Sequence, residues 1–458
     1  MPRTRRDVLA SLAGVGVAGL AGCTALDAGG SETEDPSLDA ATLREVRELG
    51  SPAFPARVPA PIADSFLERG RARARELLDS CPETMSPEEV PNEAVREIYA
   101  EAYADAAEDL ERTAADESPF EALRGLRYAR GGAAMAKGTY EAAVGGFTES
   151  DVRDEAEAVR ADIESFRLGT RYLGDEPDRA LVVYEAVENL VAAAVRYLDN
   201  TDEYGRYADS APRVGELFDA VESARASLDG ARHVRDRYLA TIVDPVDLTD
   251  AFEATASSLA EIIADRLSEH PREGLEAVVA AEGFDTEKLE STPAKDLLVE
   301  TFVEVERGLQ DARDGLRSGR FATALVGAHT AETHRRAFED AVTAIKRGRY
   351  ESVESAAAVR DAKLGALEAL EAARSDGSNP HLTRRALVDI AHMVGRGDRS
   401  LGDDYYSDDD PRAARNALAQ YATTEFAARE TPDVSAWVPD VSAWVLGTLA
   451  AERGGVRR

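Results

Sequence analysis

His329 and Glu332 sit in the stretch Gly327-Ala328-His329-Thr330-Ala331-Glu332. On a helix turning about 100° per residue they lie about 60° apart on one face, so an imidazole and a carboxylate could both approach one metal ion or polar ligand. His334 is about 140° away from His329 and cannot join it from the same straight helix. Taking Phe321, Leu325, Ala328, Ala331, Phe338, Val342 and Ile345 as the apolar stripe puts Glu332 at its edge and His329 further out. The pair is therefore expected near the helix surface, as half of a site that would need further ligands from a neighbouring helix. Other chemistry-bearing patterns are sparse. The remaining histidines are His233, His270, His381 and His392, and there is no His-Glu-x-x-His, no Gly-rich phosphate loop after a strand and no Gly-x-Ser-x-Gly. Asp403-Asp404-Tyr405-Tyr406-Ser407-Asp408-Asp409-Asp410 offers carboxylates to a hard cation but lacks the glycine and terminal Glu of an EF-hand loop. It reads as a hydrated loop in which Asp410 caps the helix opening at Pro411. Binding without covalent chemistry and without a cofactor is the expectation, a metal ion at His329 and Glu332 being the alternative.

The Gly-x-His-x-x-Glu pattern at Gly327, His329 and Glu332 resembles that of the imelysin-like family, helical bundle proteins of cell envelopes. That resemblance implies a metal-binding or metal-uptake protein, or a peptidase, using His329 and Glu332.

The amino terminus says where the chain goes. Arg5-Arg6 precedes an apolar run from Leu12 to Leu20 and then Leu20-Ala21-Gly22-Cys23. The run is too short for a bilayer of about 30 Å and carries the basic flank of a signal peptide. It resembles a twin-arginine export signal ending in a lipobox, which implies cleavage after residue 22 and a lipid anchor on Cys23. Only Cys81 then remains as a thiol, so no intramolecular disulfide can form. The expected location is the outer face of the cytoplasmic membrane, lipid-anchored and extracellular.

Composition narrows the partners. Asp and Glu number 87 against 54 Lys plus Arg, only 5 of the latter being lysine, for a formal charge of −33. Removing residues 1–22 takes three Arg and one Asp, leaving −35 on the mature chain. Nucleic acid needs a basic footprint that this chain lacks, so it is not an expected partner. Lysine depletion with carboxylate excess resembles the proteins of halophilic archaea, whose carboxylates stay hydrated where molar salt screens them within about 3 Å. The expected partners are the membrane, through Cys23, and an envelope protein or small ligand.

The elements that must position these residues read as helices. Residues 23–61 form an acidic, proline-rich tether with a short helix around 43–49. Beyond residue 62, Ala, Glu, Arg and Leu dominate, and no alternating strand pattern is bounded by turn signals. Candidate helices span 62–80, 92–115, 119–147, 151–173, 178–200, 209–242, 249–269, 272–281, 294–317, 321–346, 350–375, 381–397, 411–429 and 440–452. Hydrophobic residues make up 44% of the chain and charged residues 31%, which is globular. Leu298, Phe302, Val305, Leu309, Ala312 and Leu316 step by four and three, as do Tyr184, Val187, Val191, Ala194 and Leu198, the seam of near-parallel packing. Gly138-Thr139-Tyr140, Gly319-Arg320-Phe321 and Gly348-Arg349-Tyr350 share a signature that resembles the turn inside a tetratricopeptide repeat, and each is expected to be a hairpin corner. Asp433-Val434-Ser435-Ala436-Trp437-Val438 recurs seven residues later, with Pro439 expected to open a last capping helix. The expected architecture is all-α, a long-helix bundle or helical-hairpin array, with helical domains at 62–283 and 293–454. The function that follows is a binding or scaffold module held at the cell envelope.

Overall fold

A chain rich in strong helix formers and short of β-branched runs should bury apolar stripes helix on helix. The computed structural model bears this out for the residues it describes, 38–455 except 39, 51–53, 55–57, 114–117, 200–209, 269–274, 354, 378 and 403–410. Among them the helices are α1 (Ala40–Glu48), α2 (Asp64–Asp79), α3 (Glu93–Arg112), α4 (Pro119–Val144), α5 (Glu149–Gly169), α6 (Pro177–Asp199) and α7 (Ala211–Leu239). They continue with α8 (Thr249–Ser268), α9 (Leu275–Ala281), α10 (Thr286–Leu289), α11 (Pro293–Arg317), α12 (Phe321–Lys346), α13 (Ala356–Ser375), α14 (Pro380–Ser400) and α15 (Pro411–Gly455). The strands among the described residues, β1 (Leu173–Gly174) and β2 (Val246–Asp247), pair antiparallel. The fold is all-α.

Both seams are interior. Tyr184, Val187, Val191, Ala194 and Leu198 of α6 are buried, as are Leu298, Val305, Leu309 and Ala312 of α11. Along α11 and α12 the backbones touch through glycine. A Cβ on Gly308 would stand 2.6 Å from Ala331 N, and one on Gly327 2.7 Å from Ala312 N. Any side chain there would force the helices apart. The first half of α12, Ala322 to Ala331, shares a core with α6, α7 and α8. Its second half, Ala337 to Ile345, shares another with α13, α14 and α15.

One carboxylate fixes where α12 begins. Arg320 occupies the N-cap position and supplies no side-chain cap. Glu188 of α6 does so instead, accepting the N–H groups of Ala322 at 3.2 Å and Thr323 at 2.6 Å. The hydroxyls of Thr323 and Tyr172 donate to the same carboxylate. An anion at a helix N-terminus satisfies orphan donors and meets the positive end of the helix dipole.

Several expectations need correction. Gly319 (φ +68°) and Gly348 (φ +81°) do turn corners in the left-handed region. Gly138 does not: it lies inside α4, where a Cβ would stand 3.1 Å from Gly215 Cα of α7, so its smallness serves helix contact. The helix expected from 350 starts at Ala356, capped by the Ser355 hydroxyl, which accepts from Ala358 N at 3.2 Å. Pro439 opens no new helix. α15 runs unbroken through Pro432 and Pro439, because Val434, Ser435 and Val438 are buried against neighbours that outweigh two missing N–H donors. Trp437 packs against the first core, and the side chain of Trp444 lies outside the described residues. Part of the tether is docked rather than solvated. Leu43 and Val46 of α1 are buried, and the Lys363 ammonium donates to the Val46 carbonyl at 2.9 Å and to Asp398 at 2.6 Å. Burial lowers the Lys363 pKa, and the Asp398 carboxylate opposes that.

Candidate functional site

The stretch of α12 carrying His329 and Glu332 is buried, which overturns the expectation of a surface pair. His329 is 1% exposed and Glu332 0%. The reason is α15: its continuation past Pro432 brings Ser435 over His329, with 2.9 Å between Nε2 and the Ser435 hydroxyl. Burial, with Arg385 adding to it, pushes the His329 pKa down to about 3. Both oxygens of Glu332 are engaged from its own helix. Arg335 donates through Nε (2.7 Å) and Nη2 (3.0 Å), and Arg336 through Nε (2.9 Å). These residues do not fit a metal ion. A cation on Glu332 would face two guanidinium groups, and among the described residues no group of three His, Cys, Asp or Glu side chains is arranged to hold one. Neighbouring His334 is also buried, with its pKa pushed down to about 4 by burial and its Nδ1 without a hydrogen-bond partner among the described residues. The motif therefore builds packed, polar helix contacts. Asp403–Asp410, Cys23 and His270 lie outside the described residues.

A different set of residues lines a cleft. It is formed by Phe66, Arg69, Gly70 and Arg73 of α2, Leu123, Leu126 and Arg130 of α4, and Ala226, Asp229, Arg232 and His233 of α7, and is an open groove of about 460 Å³. Each helix contributes residues spaced by three, four or seven, one face apiece. That volume is within the range of small-molecule sites. Leu123 and Leu126 form an apolar floor. Gly70 keeps that floor open, since a Cβ there would stand 2.9 Å from Leu126 Cδ1.

Arginine surrounds the floor. Glu222, 0% exposed, anchors two of the guanidinium groups: Arg130 donates through Nε (2.9 Å) and Nη2 (2.7 Å), and Arg73 through Nε (3.3 Å). Burial alone would raise the Glu222 pKa, but Arg130 and Arg73 hold it below the usual carboxylate range. Arg130 also reaches Asp229 at 3.3 Å, and Arg232 lies 3.6 Å from Asp162. Arg69 stands over the Phe66 ring, 5.7 Å from its centroid, and has no carboxylate partner among the described residues. His233 stacks on Phe66 with centroids 4.1 Å apart and 12° between planes. Its Nε2 accepts the Ala63 N–H at 3.1 Å, so the neutral ring carries its proton on Nδ1. Burial, then Arg237 and Arg69, lowers the His233 pKa and favours that neutral form. The cleft is thus lined by guanidinium groups and one imidazole over an apolar floor, groups whose chemistry suits an anion.

Sequence reading missed this cleft. Its signal was Arg69, Arg71, Arg73 and Arg75 within seven residues of an acidic chain. Only the meeting of α2, α4 and α7 separates Arg69 and Arg73 from the others.

Residues 65–245 match the family model described as Domain of unknown function (DUF8262), and residues 249–440 match Domain of unknown function (DUF8264). The two matches abut at β2, and every residue lining the cleft falls within the first. No curated protein and no solved structure matches the chain.

Proposed function

We propose that the protein is a lipoprotein anchored through Cys23 at the outer face of the cytoplasmic membrane, where its helical body acts as a binding module. The observation that carries the binding reading is the arginine-lined cleft over an apolar floor between α2, α4 and α7. The twin arginine and the lipobox carry the anchor. Among the described residues no helix is long and apolar enough to cross a membrane.

The binding reading is tested with anilinonaphthalene sulfonate, a fluorescent anionic probe, in molar KCl. One probe should bind per folded chain, and Arg69→Glu, a reversal at an exposed side chain, should abolish most of that signal. Binding unchanged by Arg69→Glu would remove the cleft from the account. The anchor is tested by fractionation. Cys23→Ala should move the protein from membranes to the soluble fraction, whereas continued membrane association with an intact Met1 terminus would rule out lipidation.

The charge of −33 extends the proposal to salt. Self-repulsion is unscreened at tens of millimolar KCl, so circular dichroism should show most helix lost there and regained at molar KCl. Full helix at low salt would refute the halophilic reading.

A further inference from the structure

We infer that the cleft takes an amphiphilic monoanion: a small molecule with one acid group held at Arg69, Arg232 and His233, and an apolar body lying over Leu123, Leu126 and Phe66. This deepens the binding reading above and rests on it.

Charge pairing sets the head. Arg73 and Arg130 are committed to Glu222, Arg130 also to Asp229, and Arg232 is near Asp162. Arg69 alone among the lining arginines has no carboxylate partner among the described residues, so one negative charge balances the cleft and a second would find no free guanidinium. The planar fork of Arg69 suits the two oxygens of an acid group, and the neutral His233 adds a single N–H from Nδ1. The floor sets the body. A cleft of about 460 Å³ is far larger than an acid group, and its base is leucine with the Phe66–His233 stack as one wall. A bare anion would leave that surface wet. In molar salt, chloride competes for charge alone and screening acts within about 3 Å, so affinity has to come from contact hydrogen bonds and apolar burial.

The test is displacement of anilinonaphthalene sulfonate from the full chain in molar KCl by octanoate, acetate, inorganic phosphate and octanol. Octanoate should displace the probe at a concentration at least about tenfold below that of each of the others, and Arg69→Gln should weaken octanoate about tenfold or more. Phe66→Ala should weaken octanoate while leaving acetate where it was. Acetate or phosphate matching octanoate would overturn the apolar body, and octanol matching it would overturn the acid head. If Arg69→Glu abolishes probe binding but octanoate fails to displace the probe from the parent chain, the ligand class falls and the binding reading stands. A probe indifferent to Arg69→Glu takes both down.

Discussion

Glu188→Ala should destabilise the protein by about 3–5 kcal/mol, the range for removing one partner from a buried charged network. The carboxylate is buried and accepts from Ala322 N, Thr323 N, the Thr323 hydroxyl and the Tyr172 hydroxyl. Its removal takes the acceptor from three donors at the start of α12, each worth about 1–3 kcal/mol when dry and partly relieved by water entering the gap, while the Tyr172 hydroxyl can still donate to the Gly319 carbonyl at 3.1 Å. Glu188→Gln is the sharper variant. It keeps the shape but sets an NH2 group against donors, so it should recover only part of the loss. Urea unfolding in molar KCl measures both. A Gln variant as stable as the parent would show that Glu188 is not the cap of α12.

Acid should weaken the fold through the two buried histidines of α12. His329 and His334 have folded-state pKa values near 3 and 4, against about 6.5 for an unfolded histidine. Below pH 6.5 the unfolded chain binds protons that the folded chain refuses, so their contribution is full above that pH and shrinks as pH falls toward 3. At pH 5 the pair should have lost about 4 kcal/mol relative to pH 8, at 1.36 kcal/mol per unit for each group. Burial raises the pKa of Glu188 and Asp219, which acts in the opposite direction because their folded forms take up protons early. The difference between the parent and His329→Gln/His334→Gln isolates the histidines. Stability of the parent should fall more steeply between pH 7 and 5 than that of the double variant, and parallel curves would mean that water reaches both rings.

How much of this was legible follows from where the information sits. Helices with strong periodicity and proline or glycine punctuation, such as α6, α11 and α12, could be read from the chain because local propensity and the apolar stripe agree. α15 could not: proline rules predict a break at Pro439, and only neighbours invisible in a linear chain keep it whole. The apolar stripe read along α12 placed His329 toward the surface, because Ser435 of α15, which covers it, is invisible from that stripe. Gly138 carries the same signature as Gly319, yet one is a helix contact and the other a turn, because the deciding partner is Gly215, 77 residues away in the chain. The cleft illustrates the same limit. Arg69 and His233 are 164 residues apart, and their juxtaposition across Phe66 arises only when α2 docks on α7.

If anions bind between α2, α4 and α7, the imidazole of His233 reports on that place directly. In molar KCl, ring-labelled histidine spectra should show the His233 titration midpoint held low in the free protein, by burial and by Arg237 and Arg69. An anion seated beside Arg69 offsets that positive field, so saturating octanoate should move the His233 midpoint upward. A His233 midpoint that stays fixed while octanoate is bound would place the ligand elsewhere and contradict the account.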